Sequence, residues 1–331
     1  MSTAASRSKM SPPETKQPPL PRPSASLVII NERNEVLLVQ RNPRASAFGG
    51  MQVFPGGNFD QAQDTSLAIT AIRETFEESG LLLASPVDSG SAVLSENDLD
   101  EARFDVQQQK RSFKNFLLEN QLEANTEALL PFTEWVTPVG PPKRFRTQFY
   151  VTFLKPSPTS GFSSGAKQER VPTPDGGQEV IAAQFIHPMD ALSAHLEHKM
   201  IFMPPQFYIL STLADILNGS KTTTEQIEQV KKLSQGGFGR LTINPRGIGK
   251  SSDGRTILAY EGDEARGGVK GRMHRALVQF EKAVRLSFLL ASGSEDLILL
   301  QTPSQITLVR NFDIFEDIDR TTFGGTPTSK L

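Results

Sequence analysis

Phe54-Pro55-Gly56-Gly57, a polar loop, and then Ile72-Arg73-Glu74-Thr75-Phe76-Glu77-Glu78-Ser79-Gly80-Leu81 form the stretch that decides the fold of this 331-residue chain. The glycine pair opens a tight loop, and the residues beyond it predict a helix of about four turns. Asp64, Thr65 and Ser66 offer side-chain oxygens to its first amides, and Gly80 suits the left-handed residue after its last turn. Ile69, Ile72 and Phe76 recur at helical spacing and are the expected buried stripe. Glu74, Glu77 and Glu78 stand at i, i+3 and i+4, so their carboxylates converge on one face. Like charges at that spacing repel. A hard divalent cation would turn the repulsion into a ligand set beside substrate phosphates. Three glutamates taken alone are more often a solvated helix face.

Composition bounds the rest. A hydrophobic share of 37% with 22% charged residues is that of a soluble globular protein. A net charge of −2 gives no whole-chain attraction to nucleic acid, and none is expected as a partner. With no cysteine in the sequence, disulfides, a zinc ribbon and a thiol nucleophile are excluded. No apolar run suggests a membrane span, and the N-terminus lacks the apolar core of a secretory signal. Residues 1–24, rich in Pro, Ser, Thr and Lys, are expected to be a disordered leader.

The string from Gly57 to Leu81 resembles the signature of the Nudix hydrolases: a Gly, a Glu, then Arg-Glu-x-x-Glu-Glu-x-Gly and an apolar residue. Arg73 to Leu81 matches well, with Thr75 at a position that is usually aliphatic. The front half departs. Gly57 to Arg73 is two residues longer than the family's spacing, and Thr65, beside Asp64, stands where the early Glu belongs. The resemblance implies an α/β fold, the Nudix α/β/α sandwich with a mixed central sheet, here over residues 25–217. A β-rich C-terminal extension is expected over 218–322 and a flexible tail over 323–331. It also implies a metal site of Gly57, Glu74, Glu77 and Glu78 holding Mg2+, with Mn2+ as the alternative. Arg73 would orient Glu74, and Glu74 or Glu179 would act as base.

Strand-like patterns flank the box. Ser26–Ile30 and Val36–Arg41 read as a hairpin, Pro131–Pro138 and Gln148–Leu154 as longer strands, and Ile181–Ile186 as another. Leu37, Leu38, Arg41, Gly50 and Phe54 to Gly57 fall in the frame of a motif found in the coenzyme A diphosphatases of the family. Trp135-Val136-Thr137-Pro138 with Lys143-Arg144-Phe145-Arg146-Thr147 resembles an acyl-CoA subgroup. Arg41, Arg44, Arg144 and Arg146 are accordingly candidate substrate contacts, because guanidinium groups clamp phosphates. Solvated strand ends and loops are the alternative for each. Residues 85–130 predict a helical insertion over the active-site cleft. Residues 156–178 predict a loop, and His187, His195 and His198 are expected to be solvated or capping. Probable strands follow around Thr256–Tyr260, His274–Phe280, Val284–Leu290 and Leu297–Gln301. Gly236–Gly239 and Gly247–Lys250 read as hairpin turns rather than phosphate loops.

Ser329-Lys330-Leu331 reads as a peroxisomal address and implies an import receptor as partner. The expectation is a peroxisomal hydrolase of CoA or acyl-CoA. The alternatives are a Nudix enzyme for NADH or ADP-ribose, or a binding module that kept the fold without catalysis.

Overall fold

The computed structural model describes residues 18–45, 48–87, 94–141, 143–154, 180–283, 300–316 and 318. Glu179, the predicted loop 156–178, the predicted strand at Val284–Leu290 and the tripeptide Ser329–Leu331 lie outside them.

A mixed sheet forms the centre. Its strands are β1 (Arg22–Ile30), β2 (Val36–Arg41), β3 (Gln52–Val53), β4 (Gly56–Asn58), β7 (Leu130–Val136), β8 (Phe145–Phe153), β9 (Val180–Ile186) and β10 (Thr242–Ile243), with β5 (Ala84–Pro86) and β6 (Leu122–Ala124) a separate ribbon. Strand β1 begins at Arg22, four residues before the strand read from the sequence at Ser26, because it runs parallel to β8 from the pair Arg22 and Phe145 onward. On its other side β1 is shared: β4 pairs with its first half and β2 meets its end at Ile30.

Alternation sorts the side chains of β1 between two layers. Ala25, Leu27 and Ile29 pack with Ile72 and Phe76 of helix α1 (Leu67–Ser79), together with α2 (Glu96–Gln107) and α3 (Phe113–Glu119). Val28 and Ile30 face the opposite layer of α4 (Pro188–Leu196), α5 (Pro204–Ala214) and α6 (Thr224–Gln235). This is the expected α/β sandwich. Phe113 and Phe116 of α3 pack on Phe76, the Phe76 and Phe116 rings stacking at 5.3 Å, while Arg103 and Gln107 of α2 donate to the Glu77 carbonyl.

The C-terminal strands β11 (Arg246–Lys250), β12 (Thr256–Ala259), β13 (His274–Ala283) and β14 (Leu300–Arg310) form a second, antiparallel sheet. Tyr260, Ala276, Val278 and Ile306 join the same core as Val28 and Trp135, so this sheet packs on the α4–α6 layer rather than standing apart. Gly247–Lys250 is not a turn. It is the exposed edge strand β11, carrying a bulge between Gly247 and Gly249. His187 caps α4 as expected, while His195 is a core residue, its ring between Phe202 and Phe207 and burial lowering its pKa. No helix among the described residues is long and apolar enough to cross a membrane.

Candidate active site

Helix α1 starts and ends where its chemistry dictates. The Ser66 side chain accepts from the Ile69 amide, and Gly80 takes the left-handed conformation at φ 73°. Asp64 does not cap the helix. Its buried carboxylate receives two parallel bonds from Arg73, Nε to Oδ1 at 2.8 Å and Nη2 to Oδ2 at 2.9 Å, and further bonds from the Thr70 hydroxyl and the Asp60 amide. Asp64 is thus bound to the arginine of the box. Sequence reasoning had its residue type but not its partner, nine positions away.

Arg73 is the hub of the site. Its Nη1 reaches Glu74 at 3.0 Å and Glu77 at 2.9 Å, and its Nη2 donates to the Asn58 carbonyl. Burial works against its charge, but Asp64, Glu74 and Glu77 outweigh burial and raise its pKa. Only 5% of the Arg73 side chain is exposed.

The glutamates divide. Gly57 lies on β4 opposite Ala25, on the face that looks toward α1. A Cβ on Gly57 would overlap the Glu74 carboxylate, so a side chain there would displace that carboxylate. Glu78 is buried, accepts from the Gly56 amide at 3.0 Å and pairs with Arg41 at 3.3 Å. The Glu77 side chain lies along Arg73, while its carbonyl accepts from Arg103 and Gln107 of the insertion. The donor set is all oxygen, the chemistry that a hard divalent cation takes. As they stand, no three carboxylates or imidazoles among the described residues are gathered into a metal cluster.

The four candidate arginines have different surroundings. Arg41 ends β2 against Glu78, opposite Val180 of β9. Arg44 is exposed in the turn after β2. Arg144 is tied to backbone, Nε to the Thr137 carbonyl and Nη1 to the Pro19 carbonyl. Arg146 projects from β8 with 59% of its side chain exposed, its Nε 2.8 Å from Glu134. Glu134 was not singled out from sequence; its partner stands on the next strand, and only the β7–β8 register brings them together.

Residues 60–213 match the family model described as the NUDT19 Nudix domain. The chain is 31% identical over 163 residues to the acyl-coenzyme A diphosphatase NUDT19 of Xenopus laevis, covering 45% of this chain and 40% of that one. Against the human protein of the same name it is 26% identical over 262 residues, covering 61% and 65%. The chain thus spans less than two thirds of the length of these curated relatives. Among solved structures, a Nudix hydrolase from Alicyclobacillus acidocaldarius aligns with 60% of this chain and 93% of its own, at 25% identity and a TM-score of 0.46. The signature from Gly57 to Leu81, the sandwich that carries it and the match to the family model agree: over residues 60–213 the chain is similar to the Nudix hydrolase domain of the NUDT19 type.

Proposed function

We propose that this chain hydrolyses the diphosphate bridge of coenzyme A or its acyl esters, giving adenosine 3′,5′-bisphosphate and 4′-phosphopantetheine or its acyl form. The observation that carries the reading is the Glu74 carboxylate laid over Gly57, in a domain whose relatives are named acyl-coenzyme A diphosphatases. The Gly57 carbonyl with Glu74, Glu77 and Glu78 would hold Mg2+, or Mn2+ in its place. Bound there, the cation supplies positive charge against the diphosphate oxygens and acidifies water. Arg73, fixed by Asp64, sets where Glu74 and Glu77 point. The base that takes the proton from the attacking water is Glu74 or Glu179. A peroxisomal location, through the import receptor that reads Ser329-Lys330-Leu331, belongs to the same proposal.

The test is metal-dependent turnover of CoA, an acyl-CoA, NADH and ADP-ribose, with products weighed by mass spectrometry. Adenosine 3′,5′-bisphosphate from CoA or acyl-CoA alone supports the reading, and turnover of NADH or ADP-ribose in its place overturns the substrate assignment. A second reading, a binding module without catalysis, is favoured by one observation: Arg73 bridges Glu74 and Glu77. It takes first place if a folded chain binds Mg2+ and turns over none of the four. A fluorescent fusion that stays cytosolic with the tripeptide intact and C-terminal would remove the location.

A further inference from the structure

We propose that Arg146 is the specificity residue for a phosphomonoester that the substrate carries beside its diphosphate, and that Glu134 is the positioning residue that aims it. The inference rests on the proposed function and names one group within that substrate: the 3′-phosphate of its adenosine half.

The two arginines of the Lys143–Arg146 run have opposite fates. Arg144 spends both edges of its guanidinium on backbone carbonyls, closing the loop between β7 and β8 onto the start of the chain. Arg146 is held at its Nε by Glu134, which is itself fixed by the Thr242 hydroxyl of β10 at 3.0 Å. A guanidinium gripped at one edge by a carboxylate keeps its terminal nitrogens as a planar fork, the shape that takes two phosphate oxygens at once. More than half of the Arg146 side chain faces solvent, so an incoming phosphate need not displace protein to reach it.

Its place in the sheet puts the fork on the correct side. Along β8, Gln148 pairs with Ala25 and Arg146 with Pro23, and the β1–β8 register is unbroken. Ala25 looks toward α1 and is also the partner of Gly57 on β4. By strand alternation Arg146 therefore shares the face that carries Gly57 and Glu74. Two strand spacings across and two residues along place its Cα roughly 12 Å from that of Gly57. An arginine side chain and one ribose ring together cover that span. Arg41, at the end of β2 on the same face, is occupied by Glu78. A diphosphate over Gly57 would thus have its adenosine side open toward β8.

The experiment measures binding of adenosine 3′,5′-bisphosphate and adenosine 5′-monophosphate to the full chain by calorimetry, and kcat/KM for CoA and for CoA lacking its 3′-phosphate. The wild type should prefer the 3′-phosphorylated member of each pair about tenfold or more, the scale of a charged hydrogen-bonded contact. Arg146→Gln should bring both preferences close to one, and Arg146→Lys should restore part of them. Glu134→Gln should raise KM for CoA with little change in kcat, a split that loss of a merely structural contact does not produce. Equal affinity of the wild type for both nucleotides, or an undiminished preference in a folded Arg146→Gln, overturns the proposal. Nucleotide preference that falls in Arg146→Gln, without turnover of CoA, would keep the subsite and remove the proposed reaction.

Discussion

Two buried Asp–Arg forks hold this molecule together, one in each sheet region, and only one of them leads to chemistry. Asp64 and Arg73 join the loop and helix of the candidate site through two bonds of 2.8 and 2.9 Å. Asp263 and Arg275 do the same for the C-terminal sheet, through two bonds of 2.7 Å. Both aspartates are fully buried at the side chain. The difference lies in what else the arginine meets. Arg73 extends its remaining Nη1 to Glu74 and Glu77, whereas Arg275 approaches the half-exposed Glu264 at 3.6 Å through the same Nη2 that binds Asp263. The same fork is thus a bracket in one place and, in the other, a lever that sets the carboxylates.

The comparison is sharpest at the carboxylates themselves. Glu77→Gln should lower kcat by roughly 100- to 1000-fold with little change in KM, since it removes charge needed only as the transition state forms. Equal losses in both constants would count against a metal role. Asp64→Asn should lower activity by about 10- to 100-fold, as loss of a supporting partner does, and cost about 3 kcal/mol of stability in a denaturant titration. Asp263→Asn should cost a similar amount of stability and leave turnover per folded molecule alone. If it abolishes turnover too, the two forks are not functionally distinct.

Glycines extend the contrast. Gly57→Ala forces a Cβ into the Glu74 carboxylate and should cut activity by up to about 100-fold, the scale of a small misplacement at a reacting centre. Gly247→Ala, with nothing near its Cβ and no left-handed backbone, should be neutral or slightly stabilising. A pH effect on stability is confined to the C-terminal region. His274 is buried, bonded to the Tyr208 hydroxyl and the Glu261 carbonyl, and burial holds its pKa down to about 4 from an ordinary 6.5. The unfolded chain therefore takes up this proton first. Stability should fall as pH drops from 6.5 toward 4, by up to about 3 kcal/mol, and level off below. His274→Gln should remove that slope from the pH profile of unfolding, and an unchanged slope would show that other groups cause it.

Local signals reached far in this sequence. Ser66 and Gly80 bound α1 as their chemistry requires, and β2 spans Val36–Arg41 as the pattern indicated, because capping and alternation are short-range. What depended on distant partners stayed hidden. Asp64 looked like a cap because its partner lies a turn and more into the helix, and only folding shows that Arg73 outcompetes the amides for it. Arg144 and Arg146 were indistinguishable as a basic run, since the Pro19 carbonyl and Glu134 that separate them come from other segments. His195 looked solvated because the aromatic rings that enclose it arrive from the next helix and the segment leading into it. Glycine misled at β11, where its lack of a side chain marks a bulged edge and not a turn.

Strand β10 is only two residues long, yet it lies parallel to β7 as the outermost strand on that side of the central sheet, and its Thr242 steadies Glu134. The C-terminal extension is therefore the hem of the fold as well as an addition to it. A chain cut after Leu217 would keep every glutamate of the box and still bare the backbone of β7, an edge open to pairing with another molecule.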